Sequence, residues 1–179
     1  HDSPGPADPY GIAGWLPGNT SLLIYDRYDA WKVDVRAKSR AVNFTKIGRL
    51  NKENYRYVRL DPKEKYVLES SMSCWRFQQQ VDKSAGMAIA SLINGQLSWK
   101  YREAGAFAYG LPIKSKNTSA LLFTKERFDQ SPDLHVWNWE TAAPARKLTT
   151  LNPQQKEYWW GSASLYRWKA LNGKSASGV

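Results

Sequence analysis

Asn19-Thr20-Ser21-Leu22-Leu23-Ile24-Tyr25, leading to Arg27-Tyr28-Asp29, and Asn117-Thr118-Ser119-Ala120-Leu121-Leu122-Phe123-Thr124, leading to Arg127-Phe128-Asp129, are two versions of one pattern. Each passes from a polar entry into a short apolar run, the signature of a buried strand. An alternating segment follows in both copies: Trp31-Lys32-Val33-Asp34-Val35 in the first and Asp133-Leu134-His135-Val136-Trp137-Asn138-Trp139 in the second. Period-two alternation places successive side chains on opposite faces of a sheet. Polar turns then lead to Ala41-Val42-Asn43-Phe44-Thr45 and to Arg146-Lys147-Leu148-Thr149. An aspartate precedes a threonine by the same 16 residues in each copy, Asp29 to Thr45 and Asp133 to Thr149. With Gly11 to Trp15 as the opening strand, the first copy supplies four strands.

The copies start roughly 100 residues apart, twice the ~50-residue length of a four-stranded repeat, so one further unit is expected between them. Tyr55-Arg56-Tyr57-Val58-Arg59-Leu60 alternates, and Asp61-Pro62-Lys63-Glu64-Lys65 makes a turn. Tyr66-Val67-Leu68-Glu69-Ser70 is read as the second strand, Gly86 to Ile93 as the third, and Gln96 to Lys100 as the fourth. Asn94-Gly95 between the last two is a strong hairpin signal. The expected fold is all-β, a partial β-propeller of about three four-stranded antiparallel blades plus an exit β segment. The blades occupy 10–50, 51–103 and 104–150, and the exit segment 151–179. Stacking covers the apolar faces that a lone blade leaves open, and Trp31, Trp99 and Trp137 suit such packing.

Composition agrees with a folded β-rich chain: 42% of residues are hydrophobic and 13% aromatic, including nine Trp and ten Tyr. The single cysteine, Cys74, excludes an internal disulfide framework and a thiolate zinc site. No apolar stretch reaches the ~18 residues of a membrane helix. Residues 1–9, opening His1-Asp2-Ser3-Pro4-Gly5-Pro6, lack the basic and apolar regions of a signal peptide and are expected to form a linker or the edge of an excised piece. The net charge of +10 is spread over separate turns such as Arg36 to Arg40 and Lys63 to Lys65. With no dense basic run, nucleic acid is not the expected partner.

Several stretches resemble the propeller of prolyl-oligopeptidase-family serine peptidases, above all secreted bacterial members. They are Tyr25-Asp26-Arg27-Tyr28-Asp29-Ala30-Trp31-Lys32-Val33-Asp34, Asp61-Pro62 with Lys65-Tyr66, and Pro132-Asp133-Leu134. The tail from Leu151-Asn152-Pro153-Gln154-Gln155 to Trp168 and Asn172-Gly173 resembles the exit from that propeller toward an α/β-hydrolase domain. The resemblance runs from about Asp8 onward and implies the last blades of a seven- or eight-bladed propeller that screens peptide substrates. It further implies that the remaining blades and the catalytic domain are partners of this chain, and that the compartment is periplasmic or extracellular. Open blade faces imply self-association or repacking.

The chemistry of that family requires a Gly-x-Ser-x-Gly elbow and a histidine to accept the serine proton. The nearest segment, Gly161-Ser162-Ala163-Ser164, has the wrong spacing and is read as a turn. Of the two histidines, His1 is terminal and His135 lies within an expected strand. No catalytic, cofactor-binding or metal-ligating residue is therefore assigned. Glu69, Glu103, Glu126, Glu140 and Glu157 are scattered, and the absence of a Glu-Glu dipeptide gives no support to an aminopeptidase-type clamp. Asp26 and Asp29 share a loop but are too few for a calcium site. Trp159-Trp160 is the remaining candidate, for ligand stacking or for packing at an interface, with strand alternation expected to send the two rings to opposite faces. The alternative reading of the whole chain is a stand-alone peptide- or glycan-binding module.

Overall fold

The computed structural model describes residues 6, 8–141 and 143–178, so most of the expected linker, His1 and Val179 lie outside the described residues. The chain is all-β and built from consecutive antiparallel sheets. The first sheet comprises β1 (Ile12–Trp15), β2 (Ser21–Tyr25), β3 (Ala30–Asp34) and β4 (Val42–Asn43), in that order across the sheet. A one-turn helix, α1 (Gly48–Asn51), leads to the second sheet of β5 (Glu53–Val58), β6 (Met72–Gln79), β7 (Ala85–Ile93) and β8 (Gln96–Gly105). The third contains β9 (Ala108–Tyr109), β10 (Ile113–Lys114), β11 (Ala120–Arg127), β12 (Gln130–Asn138) and β13 (Arg146–Lys147). A 3-10 turn at Pro153–Glu157 precedes a separate hairpin, β14 (Tyr166–Lys169) and β15 (Ser175–Gly178).

The hairpin signals act as their residue types require. Asn94 (φ 50°) and Gly95 (φ 74°) both take the left-handed conformation between Ile93 and Gln96, the geometry of a two-residue turn matched to strand twist. Asn172-Gly173 turns β14 into β15, closed by the Ala170 N–H donating to the Lys174 carbonyl at 2.9 Å.

Two expectations for the middle and third sheets are corrected. Tyr66-Val67-Leu68-Glu69-Ser70 is not a strand: Leu68 sits at φ 61°, which a strand does not tolerate. Val67 is instead buried against the first sheet, its N–H donating to the Trp15 carbonyl at 2.8 Å. Met72–Gln79 supplies the second strand. The third sheet has five strands, because its edge is broken into β9 and β10, which pair with opposite ends of β11. Pro112 between them lacks an N–H for the ladder. Gly110 lies so close to Thr124 that a Cβ there would overlap the Thr124 hydroxyl.

Packing follows from alternation. One face of the second sheet contributes Tyr55, Trp75, Phe77, Ala88 and Ala90 to a core shared with Leu23, Ala30 and Phe44 of the first sheet. Its other face contributes Val58, Cys74, Met87 and Ile89 to a core shared with Leu121, Phe123 and Trp137 of the third. The middle sheet is thus covered on both sides. The outer faces of the flanking sheets carry Leu22, Ile24, Trp31 and Val33, and Leu122, Leu134 and Val136, all half-buried. Trp75 is fully buried, with its ring edge-on to Tyr57 and Trp99 at centroid distances of 5.5 Å and 6.0 Å, and its indole N–H donates to Ser73.

The Asp-to-Thr interval is a clasp. Thr45 Oγ1 donates to Asp29 Oδ1 at 2.6 Å and accepts the Ala30 N–H at 3.1 Å, while Asp29 also accepts the Gly48 and Arg49 N–H groups. In the third sheet Thr149 Oγ1 donates to Asp133 Oδ1 at 2.9 Å and accepts the Leu134 N–H, and Asp133 accepts the Leu151 N–H at 2.8 Å. Each clasp ties the third strand to the fourth and to the chain leaving the sheet. Lys147 Nζ meets Asp133 Oδ2 at 2.5 Å. The bond from Lys147, followed by that from the Leu151 N–H, holds the Asp133 carboxyl down at about 2.

Asp29→Ala leaves two buried donors, the Thr45 hydroxyl and the Gly48 N–H, without their acceptor; at about 1–3 kcal/mol for each unsatisfied group, a loss of at least ~2 kcal/mol is expected in urea unfolding. Asp133 is ionised more readily folded than unfolded. Its contribution is complete above the ordinary aspartate value of about 3.9 and is lost as pH falls through its folded value. Acid titration of stability is expected to steepen between about pH 4 and pH 2, and Asp133→Asn to flatten that limb.

Candidate functional site

The residues singled out in the sequence do not converge. His135 is buried in β12, its Nδ1 3.1 Å from the Asp133 carbonyl and its ring stacked on Phe123. Asp26 Oδ1 accepts the Tyr28 and Asp29 N–H groups, and its Oδ2 meets Arg49, so both aspartates of that loop are engaged within the fold. Among the described residues no three His, Cys, Asp or Glu side chains gather as metal ligands would. Cys74 is wholly buried, which pushes its thiol up to about 12 and leaves little nucleophilic thiolate.

Gly161-Ser162-Ala163-Ser164 forms neither a hydrogen-bonded turn nor a strand. The segment before it docks on β12: Asn152 donates to Ser131 Oγ, and the Ser131 N–H donates to Gln155. Trp159 and Trp160 lie outside any strand, so alternation does not set their directions. Trp159 is fully exposed, whereas Trp160 donates its indole N–H to the Gln155 carbonyl at 2.9 Å. Trp160 also lines a groove of about 370 Å3 with Phe128 and Tyr158.

A larger, open cleft of about 890 Å3 lies elsewhere, between the second and third sheets. Arg56 and Arg76 form part of one wall, Phe107, Tyr109 and the Arg127–Asp129 turn another, and Ser162 to Leu165 also line it. Strand alternation explains the location. The face of β5 and β6 that buries Val58 and Cys74 toward the third sheet presents Arg56 and Arg76 two residues further along. Hydrophobic contact closes one end of the inter-sheet space and charge holds the other open.

The far wall is anchored by a buried carboxylate. Glu103 accepts from Lys125 Nζ at 3.1 Å, from the Tyr109 hydroxyl at 3.3 Å and from the Ala145 N–H at 3.3 Å. Lys125 also sits over the Phe107 ring at 4.4 Å. On the opposite face of the second sheet Glu53 meets Arg102 at 2.5 Å. Burial raises the Glu53 carboxyl, but the bonds from Arg102 and Tyr55 outweigh it and the net displacement is downward.

Sequence reading missed this cleft for a specific reason. Arg56 is an ordinary outward position in an alternating run, and Arg76 belongs to the strand that was skipped. Only the register that sets Arg56 directly across from Arg76 brings them together.

Replacing Glu103 with Gln strips Lys125 of its counter-charge in a largely buried setting. A loss of about 3 kcal/mol is expected in urea or thermal unfolding, larger than for Glu126→Gln on the surface. Comparison of the chain with protein-family models and with curated proteins returns no match.

Proposed function

We propose that this chain is the non-catalytic β-propeller part of a serine peptidase of the prolyl oligopeptidase type, with its three sheets standing as adjacent blades. The observation that carries the reading is the middle sheet, covered on both faces by sheets that are each formed from one contiguous stretch of chain. Radial stacking requires such double coverage, whereas a two-layer sandwich leaves one face of each sheet to solvent. The clasp repeated in the first and third sheets supports a common blade plan.

In this reading the sheets screen substrate peptides, and the bond-breaking residues belong to an α/β-hydrolase domain outside this chain. The buried, engaged imidazole of His135 supports that division. The half-buried apolar outer faces support further blades, or a second copy, as their cover. Residence outside the cytoplasm follows from the resemblance alone.

A second reading, a stand-alone peptide- or glycan-binding module, is favoured by the aromatic surface of Phe128, Tyr158, Trp159 and Trp160, of which Trp159 is entirely exposed.

Two measurements test the first reading. The coding sequence beyond the Val179 codon is expected to specify a Gly-x-Ser-x-Gly elbow followed by an aspartate and a histidine. The chain by itself is expected to release no chromophore from aminoacyl p-nitroanilides. A reading frame without that order, or turnover by this chain that a serine-directed inhibitor abolishes, would falsify the proposal. Peptide or chito-oligosaccharide binding that disappears in Trp159→Ala and Trp160→Ala, in a frame lacking the elbow, establishes the second reading instead.

A further inference from the structure

We infer that the cleft between the second and third sheets is a binding site for an organic carboxylate bearing an apolar or aromatic group, held by Arg56 and Arg76. The inference stands on the cleft itself and is independent of the peptidase reading.

Arg56 and Arg76 are direct cross-strand partners in the β5–β6 ladder, so their side chains leave the same face side by side. Like charges in that relation repel, and a sheet serving stability alone gains by placing a carboxylate across from an arginine. Among the described residues neither arginine has a carboxylate within ion-pair distance. The two acidic residues on the cleft wall are already engaged. Asp82 Oδ1 accepts from the Ser84 N–H and hydroxyl, and Asp129 receives Arg127 at 2.5 Å and 3.2 Å through its two oxygens. Arg56, Arg76 and Lys83 are thus the cations of the cleft wall without an ion-pair partner among the described residues, and of these the two arginines stand side by side.

One member of the pair is fixed in advance. Arg56 donates to the Tyr55 and Asp26 carbonyls at 2.8 Å and 3.1 Å and lies over the Tyr25 ring at 4.5 Å. Those contacts occupy two of its five N–H donors and immobilise the guanidinium. Its burial lowers the guanidinium from its ordinary value and outweighs the opposing charge of nearby Asp26, whose carboxylate is bonded to Arg49 instead. Arg76 is exposed to the cleft and free to close on a ligand. Two planar donor forks match the oxygens of a carboxylate. Phe107 and Phe128 supply the apolar lining that a bare inorganic anion has no use for. The volume of about 890 Å3 falls within the usual range of small-molecule sites.

Titration calorimetry with three probes tests the assignment: N-acetyl-L-phenylalanine, its amide and inorganic phosphate. Each is measured on the unaltered chain, on Arg76→Gln and on Lys38→Gln, an exposed turn residue far from the cleft in sequence. N-acetyl-L-phenylalanine is expected to bind saturably, and added salt to weaken it. The amide, phosphate and Arg76→Gln arms are each expected to be weaker by about tenfold or more, the worth of one charge-assisted hydrogen bond. Lys38→Gln is expected to match the unaltered chain. Because Arg76 is exposed and faces a like charge, its replacement is expected to leave the urea midpoint unchanged or slightly raised, which separates lost binding from lost fold. Equal binding of the amide removes the role of charge, and equal binding of phosphate removes the apolar half of the ligand. Unchanged affinity in Arg76→Gln, or no saturable binding of N-acetyl-L-phenylalanine up to its solubility limit, overturns the site. None of these results bears on the coding sequence beyond Val179, so the two proposals fail separately.

Discussion

A buried aspartate that gathers N–H and hydroxyl donors where one sheet hands the chain to the next is the interaction on which the architecture turns. Asp29 is fully buried, and its contacts are the Thr45 hydroxyl and the N–H groups of Gly48 and Arg49. A carboxylate in such a place is costly unless its oxygens are fully engaged. Once they are, every donor is located relative to every other. The third strand, the end of the fourth and the start of α1 are thereby fixed around two oxygen atoms. Gly48 is required at that point, since a Cβ there would come within 2.7 Å of Asp29 Oδ1 and of the Tyr28 carbonyl. The entry of the second sheet is thus placed by the exit of the first, with the Tyr55 N–H bonded to the Tyr28 carbonyl. Asp133 and Thr149 repeat the device with a lysine added, which suits the more exposed end of the third sheet.

Double coverage of the second sheet follows from this placement and has a chemical consequence. A sheet buried on one face can send its charges to the other. A sheet buried on both has no polar face, so its charged residues collect at the ends of strands or line gaps. Glu53 with Arg102 and Glu103 with Lys125 are resolved as ion pairs at such margins. Arg56 and Arg76 occupy the margin that stays open. The cleft is therefore the place where two stacked sheets diverge and where apolar packing gives way to charge.

How much of this was legible is best seen strand by strand. The first sheet was readable in full because each strand alternates or is uniformly apolar and each turn carries Gly, Asn or clustered charge. The second was half readable. Tyr66 to Ser70 carries a strand's composition, yet Val67 and Leu68 serve as a plug on the first sheet, and composition does not distinguish a plug from a ladder. Met72-Ser73-Cys74-Trp75-Arg76-Phe77-Gln78-Gln79 was passed over because both of its faces are buried near one end, which erases the alternation that identifies a half-buried strand. The spacing of Asp and Thr was visible, but its meaning as a hydrogen-bonded clasp needed coordinates. The direct pairing of Arg56 with Arg76 needed register, which no single strand encodes.

That last point bears on how function is recognised in such a chain. Across the three sheets local preference, turn chemistry, packing and charge pairing agree with one another, and positively charged side chains near the cores meet carboxylates or aromatic faces. Against that consistency, two arginines set opposite each other are a departure from what stability alone would select. Evolutionary drift is a weak explanation for a half-buried guanidinium clamped by two carbonyls and a tyrosine ring, since random surface charges are mobile and solvated. Geometry that restrains Arg56 while leaving Arg76 free resembles a fixed anvil and a moving clamp. The carbonyls and the Tyr25 ring offset part of the cost of desolvating the first cation, an arriving anion would offset more, and differential stabilisation of the occupied state is what distinguishes a binding site from a structural contact.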